Sequence, residues 1–108
     1  MANVIEVQTD DDYIGAIGNA GDSLVVVEFY ATWTVPSVVI SDELAKLRED
    51  FPEITHVRLN FDRNTDLFKK YGVSVVPCVQ LYKNGQSKGE IVGACARKIR
   101  NLIENNLI

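Results

Sequence analysis

The stretch Leu24-Val-Val-Val-Glu-Phe-Tyr-Ala-Thr-Trp-Thr-Val-Pro-Ser37 decides how this chain is read. Its first seven residues are β-branched, aromatic or otherwise apolar, with Glu28 as the one charge. A run without polar alternation reads as a strand covered on both faces, the kind found at the centre of parallel sheets. Residues 36–50 then read as a helix. Leu44 and Leu47 are spaced for one face, and Asp42, Glu43, Lys46 and Glu49 for the other. Phe51-Pro52 ends it, because the residue before a proline is pushed out of the helical region.

Working outward, residues 3–7 read as a short strand. Thr9 followed by Asp10, Asp11 and Asp12 marks a helix start: the hydroxyl caps, and the acids sit at the positive end of the helix dipole. Tyr13, Ile14 and Ile17 share a face, and Gly21-Asp22 closes the helix. Downstream, residues 54–61 alternate as a strand, and Asn64 or Thr65 opens a short helix through Lys70, closed by Gly72. Residues 74–82 predict a further strand, interrupted near its start by Pro77. Lys83-Asn84-Gly85 is a tight-turn signal, so residues 87–92 pair back antiparallel. Gly93 precedes a last helix, about 95–107, with Ile99, Leu102 and Ile103 inward and Arg97, Lys98 and Arg100 outward. The order βαβαβαββα predicts an α/β sandwich of three layers, a central mixed sheet between two layers of helices.

Composition agrees and narrows the function. The 108 residues are 46% hydrophobic and 24% charged, enough for one core in a single domain, 1–108, and unlike a disordered chain. A net charge of −4 excludes a domain-wide basic footprint, so no nucleic-acid partner is expected. Residues 1–66 hold 4 basic and 13 acidic side chains, residues 67–108 hold 7 basic and 2 acidic. We read this drift as two parts facing each other within one fold. Two cysteines cannot make a disulfide-dense scaffold. The longest apolar run, Leu24–Val27, is too short to cross a bilayer, and the first residues lack the basic start of a signal peptide. The expectation is a cytoplasmic protein with no membrane partner.

Five landmarks in order carry a resemblance: Val25–Trp33 with Pro36 close behind, Val76-Pro77, Lys83-Asn84-Gly85, and Val92-Gly93-Ala94. Over about residues 3–107 the chain resembles the thioredoxin family. That family carries Trp-Cys-Gly-Pro-Cys at the start of its second helix; this chain has Trp33-Thr34-Val35-Pro36-Ser37. The resemblance therefore implies the thioredoxin fold with both redox cysteines replaced. Thiol–disulfide exchange needs a thiolate to attack and a second thiol to resolve the mixed disulfide. A hydroxyl stays protonated at neutral pH and forms no disulfide, so no catalytic residue of the dithiol reaction is retained at Thr34 or Ser37.

The resemblance also implies roles elsewhere. Glu28 stands where the family keeps a buried acid beneath the active site. We expect it to be held by a hydrogen bond to Ser37 or a water, with its pKa raised by burial, so that an apolar residue at 28 stabilises the fold. Pro77 is implied to be a cis-proline facing the 34–37 loop. The family's partner-binding surface maps to Trp33, Val35, Pro36, Val76, Pro77, Gly93 and Ala94. Val35 and Val38, where the family has glycine and lysine, make that rim more apolar. His56, the only histidine, is expected on the surface or at a strand edge, away from the motif, so it serves no hydroxyl nucleophile.

Cys78 and Cys95 are the remaining thiols. Cys78 reads as a small apolar filler beside Pro77, and Cys95 as an incidental residue at a helix N-terminus; either is also a candidate displaced reactive thiol. With one distant histidine they make no closed metal site, and no cofactor is expected. The function expected is a redox-inactive thioredoxin-like protein that binds partner proteins through the former active-site surface, with an extended segment beside Val76. The alternatives are a thiol–disulfide oxidoreductase, as a cysteine-substituted variant or a monothiol using Cys78 or Cys95, and a structural subunit of a larger assembly.

Overall fold

The computed structural model describes residues 3–107. Nine main elements follow one another: β1 (Asn3–Glu6), α1 (Asp10–Gly18), β2 (Val25–Tyr30), α2 (Val35–Asp50), β3 (Thr55–Asn60), α3 (Thr65–Lys70), β4 (Cys78–Lys83), β5 (Gln86–Val92) and α4 (Ala96–Asn105). A single 3-10 turn, Phe61–Arg63, joins β3 to α3. The strands form one mixed sheet in the order β1-β3-β2-β4-β5. β3 runs parallel to β1 and β2, whereas β4 runs antiparallel to β2 and β5 antiparallel to β4.

The centre of the sheet is β2, and all six of its residues are buried. Successive side chains point to opposite faces, and two cores result. Val25, Val27 and Phe29 pack with Tyr13, Leu67 and Phe68 on the α1 and α3 side. Val26 packs with Ile40, Leu44, Ile99 and Ile103 on the α2 and α4 side. The cap expected from Asn64 or Thr65 at the start of α3 does not form: the Asn64 side chain donates instead to the Val7 and Asn60 carbonyls. At the start of α1 the local signal acts as read. The Thr9 hydroxyl accepts the Asp12 N–H at 3.1 Å, and the Asp12 carboxylate accepts the Thr9 N–H at 3.2 Å, a reciprocal capping box. Asn84 and Gly85 both have positive φ, +53° and +78°, which gives a two-residue hairpin loop twisted to match its strands.

Three further expectations about elements fail. Ile14, read on one face with Tyr13 and Ile17, is 56% exposed, and Ala16 is buried with Tyr13 instead. The strand expected over residues 74–82 begins only at Cys78. Residues 74–77 form a loop containing a cis Val76–Pro77 peptide, and a proline has no N–H to give a central ladder. His56 is neither a surface nor a strand-edge residue: β3 lies between β1 and β2, and the imidazole is 1% exposed. Its place on the same sheet face as Glu28 puts it under α2, where it has polar partners. Among the described residues no helix is long and apolar enough to cross a membrane.

Candidate functional site

α2 follows β2 after a short loop, residues 31–34, and the Trp33–Ser37 motif runs from that loop into its first turn. Thr34 caps the helix, its hydroxyl accepting the Ser37 N–H at 3.2 Å. Pro36 fits this first turn, where its missing N–H has no intrahelical partner. Ser37 is fully buried, and its hydroxyl accepts the Ala31 N–H at 3.1 Å. Both hydroxyls thus hold the turn, and neither has an imidazole within reach to deprotonate it.

Trp33 stands out from this turn, 64% exposed, with its indole N–H donating to Asp62 at 3.2 Å. Its ring meets Phe61 edge-on at 6.3 Å; Phe61 in turn meets Phe68 at 5.2 Å. Trp33, Phe61, Phe68, Ser74 and Val76 line a cavity of about 120 Å³. The Gly93 N–H donates to the Pro77 carbonyl at 2.9 Å, which ties the third loop to the proline loop. The structure therefore brings together Trp33, Val76, Pro77 and Gly93. Val35, Pro36 and Ala94 are exposed on the same three loops, and Pro77 is buried.

Sequence reading missed Phe61, Asp62, Ser74 and Val75 beside this surface. Val75 is half exposed because Pro77 starts the strand late. The only available signal for Asp62 was the polar Asn60 two residues earlier, whose side chain accepts the Asp62 N–H and shapes the turn.

Glu28 corrects an expectation. Its carboxylate bonds neither Ser37 nor any hydroxyl of the motif. It accepts from Ser41, from His56 Nε2 at 2.9 Å and from Arg58 Nε at 2.9 Å. Burial pushes its pKa up, but the His56 and Ser41 hydrogen bonds and the Arg58 charge outweigh burial and hold it below the usual carboxylate range. For His56, burial in turn pushes the pKa down, with Arg48 and Arg58 acting in the same direction against Glu28. The imidazole is therefore neutral at pH 7. Arg58 continues to Glu6 at 3.0 Å and lies over the Tyr30 ring at 4.0 Å.

The two thiols sit in different surroundings. Cys78 is 2% exposed within the α1–α3 core and donates to Glu90 Oε2 at 3.4 Å. Burial, with the nearby Glu90 charge, pushes its pKa up to about 12, so a thiolate is suppressed at pH 7. Cys95 is half-buried at the N-cap of α4, and its side chain makes no capping hydrogen bond. A disulfide reagent at pH 7 is expected to modify Cys95 at least ~10-fold faster than Cys78 in the folded protein, since Cys78 is buried and its thiolate suppressed. Equal rates, followed with each cysteine replaced in turn, would contradict that ordering.

Comparison with known proteins agrees with this architecture. The thioredoxin family profile matches residues 4–105. Thioredoxin-1 of Saccharomyces cerevisiae is 36% identical over 103 residues, 95% of this chain and 98% of the yeast protein. The chloroplastic thioredoxin-like 2-2 of Arabidopsis thaliana is 28% identical over 101 residues, 94% of this chain but 43% of the plant protein. The chain thus spans less than half of that relative. The crystal structure of reduced Schistosoma mansoni thioredoxin pre-protein matches with a TM-score of 0.89 at 29% identity, covering 98% of this chain and 100% of that one. A capped second helix opening on Trp33, a proline loop tied to a glycine loop, and these matches over nearly the whole chain together place the protein in the thioredoxin family.

Proposed function

We propose that this chain is a thioredoxin-family protein without dithiol chemistry that binds partner proteins on the surface formed by residues 33–36, 76–77 and 93–94. One observation carries the reading. Where the reaction needs two sulfurs there are two hydroxyls, both occupied as hydrogen-bond acceptors, beside Trp33 and Val35 at 64% and 76% exposed. Exposed aromatic and aliphatic side chains clustered around a cavity are the ordinary anchors of protein recognition. The cavity shared by Trp33 and Val76 lies beside the proline loop, and an extended partner segment there would place one side chain into it.

The second reading, a monothiol enzyme, rests on Cys95 alone, half-buried at a helix start. Trp33 is the only tryptophan, so its emission reports on this surface directly. Peptides selected from a random display library in the presence of excess reductant are expected to shift that emission. Val35→Asp is expected to weaken them at least ~10-fold, the loss of about 1.4 kcal/mol typical of an anchor position. Peptides that bind without touching Trp33, or disulfide turnover above the reductant's own rate, would overturn the proposal.

A further inference from the structure

The buried polar cluster under α2 is made of residues other than those of the proposed partner surface. His56 lies at its centre. From β2, Glu28 accepts the His56 Nε2 proton at 2.9 Å. From α2, Arg48 Nη1 meets His56 Nδ1 at 2.5 Å, and Ser41 bonds the far oxygen of Glu28. From β3, Arg58 donates to Glu28 at 2.9 Å and to Ser41 at 3.2 Å, and its other end reaches Glu6 of β1 at 3.0 Å. Tyr30 completes the set, its hydroxyl bonded to Glu6 under the Arg58 guanidinium.

A guanidinium has only donors, so Arg48 fixes Nδ1 as an acceptor and the single ring proton on Nε2. The ring is saturated in this form, with a carboxylate facing its N–H and a cation facing its lone pair. We propose that His56 is a proton-sensitive latch between α2 and the sheet: a proton taken up at Nδ1 sets an N–H against the Arg48 guanidinium and releases the Arg48 side chain from the ring. Arg48 is partly exposed and can swing into water, whereas Glu28, Ser41 and Arg58 stay bonded to one another. The plain alternative is a histidine buried for packing alone, with no response of Arg48 to pH.

Proton counting sets the sign. In the unfolded chain His56 gains a proton near pH 6.5; in the folded protein it resists, because the site favours the neutral ring. The unfolded state then binds more protons, so stability falls with pH below about 6.5, by up to tenfold in the folding constant per pH unit. Measurement between pH 7 and pH 5 keeps ordinary carboxylates ionised.

The test compares the wild-type chain with His56→Gln, whose amide donates to Glu28 and accepts from Arg48 but does not titrate. Denaturant unfolding is expected to show a steeper loss toward pH 5 in the wild type than in His56→Gln. Nitrogen-15 spectra of the wild type are expected to show the Nε2–H neutral tautomer at pH 7. Arg48 side-chain signals are expected to change at the pH where His56 titrates. In Arg48→Met, which removes the opposing cation, His56 is expected to titrate at higher pH. An Nδ1–H tautomer, parallel stability slopes, or a titration indifferent to Arg48→Met would each overturn the latch. If His56→Gln does not fold, the wild-type spectra and Arg48→Met decide between latch and packing.

Discussion

A chain carrying Thr34→Cys and Ser37→Cys together is expected to gain protein-disulfide reductase turnover, where the parent shows only the background of the reductant. The cause is local. Position 34 is the N-cap of α2, where unsatisfied N–H groups and the helix dipole stabilise a thiolate. Position 37 lies one turn on, facing the interior. The thiolate introduced at position 34 would attack a substrate disulfide, forming a mixed disulfide and releasing one substrate thiolate. The thiolate introduced at position 37 would then attack the sulfur at position 34, release the second substrate thiolate and leave a 34–37 disulfide for an added dithiol to reduce. Turnover at least ~10-fold above background is expected, since both thiols are needed for a catalytic cycle. Thr34→Cys alone should trap substrate without turnover. A folded double variant that stays silent would show that these positions are not the redox pair that the resemblance makes them.

The second large effect is on stability. Glu28→Leu is expected to destabilise the fold by about 3–5 kcal/mol at pH 7, measured by denaturant unfolding, because it removes one member of a buried charged cluster. It leaves His56 Nε2, Arg58 Nε and the Ser41 hydroxyl without their acceptor. This reverses the sequence expectation that an apolar residue at 28 stabilises. Glu28→Gln, which keeps an acceptor oxygen, is expected to lose less. The pH dependence has a definite sign: Glu28 is held below the usual carboxylate range, so its contribution is present above about pH 4.3 and fades as pH falls through its folded value. The gap between wild type and Glu28→Leu should therefore narrow in acid. A gap of zero at neutral pH would mean the cluster contributes nothing net.

Much of the architecture was legible because it rests on local signals. The apolar run Leu24–Tyr30, the Thr9 cap and the Asn84-Gly85 loop each act over a few residues, and all three appear as read. The motif Trp33–Ser37 was legible for the same reason, since a missing sulfur can be seen in one dimension. The start of β4 was not: residues 74–76 have strand-like composition, and the proline loop overrides it.

What the residues alone determined is the mixed sheet with its second helix after the central strand, and the absence of sulfur at 34 and 37. What only the tertiary structure decided is who meets Glu28. Its partners lie 13, 28 and 30 positions away along the chain. Parallel pairing of β2 with β3 sets Glu28 beside Arg58, and the packing of α2 brings Ser41 over them. No local propensity encodes such a meeting, because register and helix packing are settled by the whole core at once. The acid expected to sit idle with a raised pKa is instead an ionised anchor, because the donors that folding gathers around it outweigh the water that burial removes.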